Sequence, residues 1–279
     1  SNAVVFANSV LGARTGRYGD FFDICAALTG REPEAGLHLA EQRAAGAVFH
    51  LDGLTDAQLA DDLLFPLLGT LVGGRTGSLV PAISGLPAAT EDQLKALGAA
   101  AASSGAVGMF HAVGITPEAA TLREATQGMD PQLETVVTAV DLAAVRRQLG
   151  AQAPGPLTAV ALGTPHFSLA EFERLRGALA GRRIDPGLAT YASTSRETLA
   201  QLEANGWRGE LEALGVTMVV DTCTYLRPLV DTRGGTVLTN SAKWAWYAPM
   251  TLGVDVVIGS LAECVESAVA GRLELDDGF

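Results

Sequence analysis

A short β-branched apolar run that stops abruptly in small polar residues, followed by a capped amphipathic helix, recurs along this chain. The unit is clearest within residues 216–249. There Val216–Val220 ends in Asp221-Thr222-Cys223-Thr224, and 236–238 ends in Thr239-Asn240-Ser241-Ala242-Lys243. Apolar runs without polar alternation are buried on both faces, as central strands of a parallel sheet are. In open α/β sheets ligands sit beyond the carboxyl ends of such strands, where loops offer hydroxyls, amides and charges. One of these two ends offers a thiol beside a carboxylate, and the other a lysine beside an amide and a hydroxyl. The pairing suits an anion-binding or metal-bearing site. The structural alternative makes Cys223 an apolar filler and Ser241 a helix N-cap.

The same pattern predicts strands over 47–51, 78–83, 107–111, 157–162, 187–192 and 254–258. Helix starts are expected at Thr90, at Thr116-Pro117-Glu118 and at Ser168, whose partner Glu171 completes a capping box. The alanines and glycines that follow Thr90 predict close packing of that helix on a sheet. His111 leaves a buried run, and His166 sits just before the Ser168 cap. Together with Ser241 they are the candidates for proton transfer. Near the start, residues 4–7 read as a strand, followed by a glycine-punctuated loop with Asn8, Ser9, Arg14, Thr15 and Arg17. A guanidinium fork matches an oxyanion bidentately, so Arg14 and Arg17 form a candidate carboxylate or phosphate clamp. Phe21, Phe22, Cys25 and Leu28 then recur at helical spacing, and Gly30 stops the helix.

A chain that enters a strand at Val4 without an initiator methionine reads as part of a longer polypeptide. The expected division is an N-terminal loop and helix segment over 1–75, an α/β unit over 76–150, and further α/β units over 151–279 carrying Cys223 and Cys264. With 48% hydrophobic and 18% charged residues the chain is neither disordered nor a solvated rod. Its net charge of −12 argues against nucleic acid and anionic membranes as partners, but not against a small anionic substrate met by local cations. No apolar run reaches the length of a membrane span. The three cysteines are odd in number and widely spaced, which fits free thiols or ligands in a reducing, cytoplasmic compartment. No P-loop lysine follows Gly69-x-x-x-Gly73-Gly74, and neither C-x-x-C nor C-x-x-H occurs.

Six motifs together resemble the aconitase X family. They are N-S-V-L-G-A-R-T-x-R-Y-G-D-F-x-D-I-C-A-A-x-T-G-R (8–31), H-A-V-G-I-T-P-E-A (111–119), G-T-P-H-F-S-L-x-E (163–171), D-T-C-T-Y (221–225), T-N-S-A-K (239–243) and G-S-L-x-E-C-V-x-S-A-V-x-G-R (259–272). The resemblance covers nearly the whole chain. It implies an α/β fold of mainly parallel sheets flanked by helices, in aconitase-like repeated units, and an iron–sulfur dehydratase with a smaller swivelling domain or subunit. It also implies a [2Fe-2S] or [4Fe-4S] cluster on three cysteines. Cys223, Cys264 and Cys25 are the ligands available here, and an upstream cysteine of the family competes with Cys25. In such an enzyme an open cluster iron acts as a Lewis acid on the departing hydroxyl. Asn8, Ser9, Arg14, Arg17, Asn240, Ser241 and Lys243 are then expected to hold the substrate. The family's activities are dehydration of cis-3-hydroxy-L-proline in bacteria, giving pyrroline-2-carboxylate, and of phosphomevalonate in archaea. The alanine-, arginine- and glycine-rich composition favours the bacterial reaction. A metal-free anion-binding α/β domain and a non-catalytic structural domain are the alternatives.

Overall fold

The structure is a computed structural model that describes residues 2–19, 21–152, 154–226, 229–276 and 279. The chain forms two compact units, one of residues 1–59 with 68–139 and one of 60–67 with 140–279. The division expected at 75/76 falls at the end of a helix, between two strands that pair with each other. Among the described residues no helix is long and apolar enough to cross a membrane.

The first unit opens with helix α1 (Asn2–Ser9), where a strand was expected over 4–7. Val5 decides the matter. It is fully buried in the unit and packs on Gly98, a contact that a helix makes. Helix α2 (Phe22–Thr29) ends at Gly30 in the left-handed conformation, as its sequence predicts, yet it buries no residue. Two 3₁₀ turns, Gly36–His38 and Ala40–Arg43, lead into strand β1 (Ala45–Gly53). Then come α3 (Asp56–Leu59), α4 (Leu64–Thr76, whose residues from Leu68 belong to this unit), β2 (Val80–Ser84) and α5 (Glu91–Ser104). The unit closes with β3 (His111–Ala112), α6 (Leu122–Ala125) and β4 (Leu133–Thr138). Its four strands are parallel in the order β3-β2-β1-β4. The helix expected at Thr116 is a turn instead, and the capping box lies at Thr121 with Glu124. The small residues of α5 admit α1 and α4 closely, with Gly98 against Val5 and Ala100 against Gly69. A side chain at Gly69 or Gly73 of α4 would strike the α5 backbone at Leu97 or Ala101, at 2.3 and 2.6 Å.

The second unit carries the repeated pattern in its cleanest form. Helix α7 (Ala139–Leu149) precedes β5 (Leu157–Phe167), α8 (Leu169–Leu179), β6 (Ala189–Thr194), α9 (Arg196–Ala204) and α10 (Trp207–Leu214). Strand β7 (Val216–Val220), β8 (Thr236–Thr239), α11 (Ala242–Leu252), β9 (Asp255–Ile258) and α12 (Leu261–Ala270) complete it. Ser168, Ser195, Ser241 and Ser260 cap α8, α9, α11 and α12, each accepting from a backbone N–H of the first turn. Each such cap contributes about 1 kcal/mol. The five strands are parallel in the order β7-β6-β5-β8-β9. From central β5 the chain steps outward through β6 and β7, then returns to the other side of β5 as β8. The order therefore reverses between β5 and β8, and at such a point the loops diverge and leave a crevice.

Candidate active site at a sheet edge

The carboxyl ends of β5, β6, β7 and β8 define this site, all within the second unit. After β7 the backbone turns sharply, with Asp221 in the left-handed region at φ 57°. That conformation is costly for a residue with a β-carbon and is held here by ionic contacts. The Asp221 carboxylate accepts from the Arg196 backbone N–H at 3.0 Å and from its guanidinium Nε at 2.5 Å. The Arg196 contacts hold the Asp221 carboxyl below its usual range. Cys223 follows, half-buried. Beyond it the Thr224 hydroxyl accepts from the Trp244 indole N–H at 2.9 Å, and Tyr225 stacks on Tyr247 with ring centres 5.3 Å apart. Burial, then a hydrogen bond with Cys223, pushes the Tyr225 hydroxyl far above its ordinary value, so it stays protonated.

Lys243 stands in the first turn of α11, half-buried. Burial pulls its ammonium below the ordinary lysine value, while neighbouring Cys223 opposes that shift. A cation at a helix N-terminus is opposed by the helix dipole, so stability alone does not explain it. The arrangement does attract an anion, because lysine and N-terminal amides act together. Five buried side-chain atoms lack a hydrogen-bond partner among the described residues, and three of them lie at this edge. They are Thr164 Oγ1 on β5, Ser193 Oγ on β6 and Asn240 Oδ1 after β8. A buried polar atom left unpaired costs about 1–3 kcal/mol, so their concentration here marks a place that binds something polar. Gly163 belongs to the same edge. At φ 79° it lets β5 approach β6 so closely that a β-carbon would lie 2.3 Å from the Ser193 carbonyl oxygen.

The other expected residues take different places. Ser241 is spent on structure, its hydroxyl accepting from the Trp244 N–H at 3.0 Å and donating to the Thr164 carbonyl. His166 directs Nε2 at the Thr222 carbonyl, 3.2 Å away. Cys264 is fully buried among Leu261, Val265 and Ala268, and burial pushes its thiol well above the ordinary value. In the first unit the buried Asn8 side chain bonds Thr15 and Gly108, and the Ser9 hydroxyl accepts from Phe110 N–H. Arg17 donates to the carbonyls of Ala102 and Gly105 at the C-terminus of α5. It is the one charged side chain among the described residues lining a cavity of about 540 Å³ in that unit. Arg14 is exposed, with one nitrogen on the His38 carbonyl. His111 is buried, its Nε2 2.7 Å from the Arg43 carbonyl, and burial lowers its pKa. Cys25 lies on exposed α2.

Cys223 has the exposure and the fixed backbone that a metal ligand needs, but the expected three-cysteine set does not fit as a set. Cys264 is enclosed by core side chains. Among the described residues no three histidine, cysteine or acidic side chains are gathered so as to hold a metal ion. The residues that reasoning from sequence missed are Trp244, Tyr225, Tyr247 and Arg196. Their roles depend on contacts between distant segments, and only the aromatic-rich W-A-W-Y run of α11 hinted at them.

Family models described as the first, second and third domains of aconitase X match residues 1–41, 44–147 and 157–270, in that order. The chain belongs to the aconitase X family. Over 276 residues, 98% of its length, it is 46% identical to the cis-3-hydroxy-L-proline dehydratase of Pseudomonas aeruginosa. It is 37% identical over 261 residues, 92% of its length, to the phosphomevalonate dehydratase large subunit of Methanothermobacter thermautotrophicus. The crystal structure of Thermococcus kodakaraensis aconitase X, in its holo-form, matches 96% of the chain with a TM-score of 0.83 at 30% identity. The chain spans 47%, 61% and 66% of these three relatives, about half the length of the first.

Proposed function

We propose that this chain is the part of an aconitase X hydro-lyase that binds cis-3-hydroxy-L-proline and helps to release water from it, giving pyrroline-2-carboxylate. Dehydration removes the proton at Cα and the hydroxyl at C3, and the electron pair of the C–H bond becomes the ring double bond. The substrate is a small zwitterion, and the edge between β5 and β8 offers complementary groups. Lys243 and the first amides of α11 receive the carboxylate. The unpaired Asn240 Oδ1 accepts a hydrogen bond from the ring N–H. That unpaired buried acceptor beside a half-buried lysine is the observation that carries the reading. The higher identity to the bacterial hydroxyproline enzyme points the same way.

Cys223 is the residue proposed as ligand to the iron–sulfur cluster that membership of the aconitase X family suggests; Cys264 is not, because core side chains enclose it. His166, Ser241, Asn8, Ser9 and Arg17 are assigned to structure by their bonds, and His111 to the first unit's buried network. The small domain or subunit of the resemblance is retained as the proposed partner; the archaeal relatives named large subunits support it. The test is turnover by the full-length enzyme, followed by ¹H NMR with cis-3-hydroxy-L-proline and phosphomevalonate in separate reactions. Conversion of hydroxyproline with phosphomevalonate left intact is expected. Conversion of phosphomevalonate alone contradicts the proposal.

A further inference from the structure

The segment bearing Cys223 is tethered at every neighbouring residue, and the tethers are not equivalent. Asp221 is held by Arg196, whose side chain is 85% exposed. Thr222 is held by half-buried His166, and the Tyr225 carbonyl by the exposed Thr251 hydroxyl. Water can replace a bond of that kind when it breaks. The Trp244–Thr224 bond is different, because both residues have no accessible surface. If it breaks, an indole N–H is left buried and without a partner, which is what makes such a bond hard to open. Trp244 is itself fixed, since its backbone N–H donates to the Ser241 hydroxyl that caps α11. The helical turn that Ser241 caps therefore reaches the residue next to Cys223.

We propose that Trp244 is a positioning residue that, through its indole bond to Thr224, fixes the backbone at Cys223. The proposal extends the reading of Cys223 as a functional residue but is tested without relying on it. The chain supplies its own references, because Cys25 is exposed and Cys264 is fully buried. Native alkylation of the full chain with iodoacetamide, followed by mass spectrometry, gives a rate for each of the three thiols. Thr224→Val removes the acceptor at nearly constant volume, and Trp244→Phe removes the donor. Each change should raise the Cys223 rate about fivefold, the loosening expected from loss of one buried hydrogen bond. The rates of Cys25 and Cys264 should not move, and the double variant should gain no more than either single one. If Trp244 merely fills the core, Thr224→Val leaves the Cys223 rate unchanged, and that result overturns the proposal. A rise at Cys264 equal to that at Cys223 also overturns it, because it reports general opening. Iron content of a Cys223→Ser enzyme reports separately on the ligand reading. Retained iron would remove that reading and leave the positioning result to stand on the alkylation rates.

Discussion

The first unit's buried polar network and the second unit's sheet edge hold similar residues and use them in opposite ways. In the first, Arg43 has no accessible surface, and its guanidinium bonds Glu118 twice, at 2.8 and 2.6 Å, and the carbonyls of Leu37 and Asn8. Burial pushes the Glu118 carboxyl up, but Arg43, with Arg14 and His111, brings it below its usual value. His111 bonds the Arg43 carbonyl, and Asn8 ties residue 15 to residue 108. Arg43, Glu118 and Asn8 meet their partners and act as scaffold, while one buried atom there, His111 Nδ1, has no partner among the described residues. At the second unit's edge three buried atoms stay unpaired, and a lysine is held where burial disfavours its charge. The difference is one of convergence: one unpaired buried atom lies in the first unit's network, whereas three meet a half-buried cation at the second unit's edge.

That contrast is most easily broken at Arg43. Arg43→Met leaves Glu118 and two carbonyls without their partner, and unfolding should become easier by about 3–5 kcal/mol. A denaturation midpoint close to the wild type's would mean that the network is not scaffold. Ser241→Ala should cost about 1–2 kcal/mol, since it removes the cap of α11 along with the bond to Thr164. Activity should fall no further than the loss of folded protein explains, whereas a selective fall in kcat would return Ser241 to the chemistry. The smallest effect belongs to His111. Burial lowers its pKa from the ordinary 6.5, so below that pH the unfolded chain takes up the proton first. Its contribution to stability is complete above 6.5 and is lost as pH falls through 6.5 toward the lowered value. In His111→Asn, urea midpoints measured across that range should fall less steeply than in the wild type. Equal slopes would show that His111 is not held neutral.

Much of this architecture was legible because the second unit states it locally. Apolar runs set the strands and caps such as Ser168 and Ser241 the helix starts, but Val216–Val220, read as a strand buried on both faces, lies at the sheet's edge with only Val216 buried. The first unit was harder. Residues 4–7 read as β-branched strand, but the register of Val5 against Gly98 made them helix. Arg43 drew no attention because its partner Glu118 is 75 residues away. The site was half legible. Lys243, Asn240 and Cys223 stand at strand ends, which a pattern reveals. Nothing local shows that Asn8, Ser9 and Arg17 spend their bonds on the fold, or that Trp244 reaches Thr224.

The decisive measurement is kcat/KM for cis-3-hydroxy-L-proline in full-length Lys243→Met, with its melting temperature taken on the same preparation. Methionine keeps an unbranched stem in the half-buried slot and removes the charge that burial disfavours. If the edge between β5 and β8 is the substrate site, kcat/KM falls roughly 10–100-fold, the worth of one charged contact, while the melting temperature holds or rises. A melting temperature that falls while kcat/KM is retained would make Lys243 part of the scaffold, and the two units alike after all.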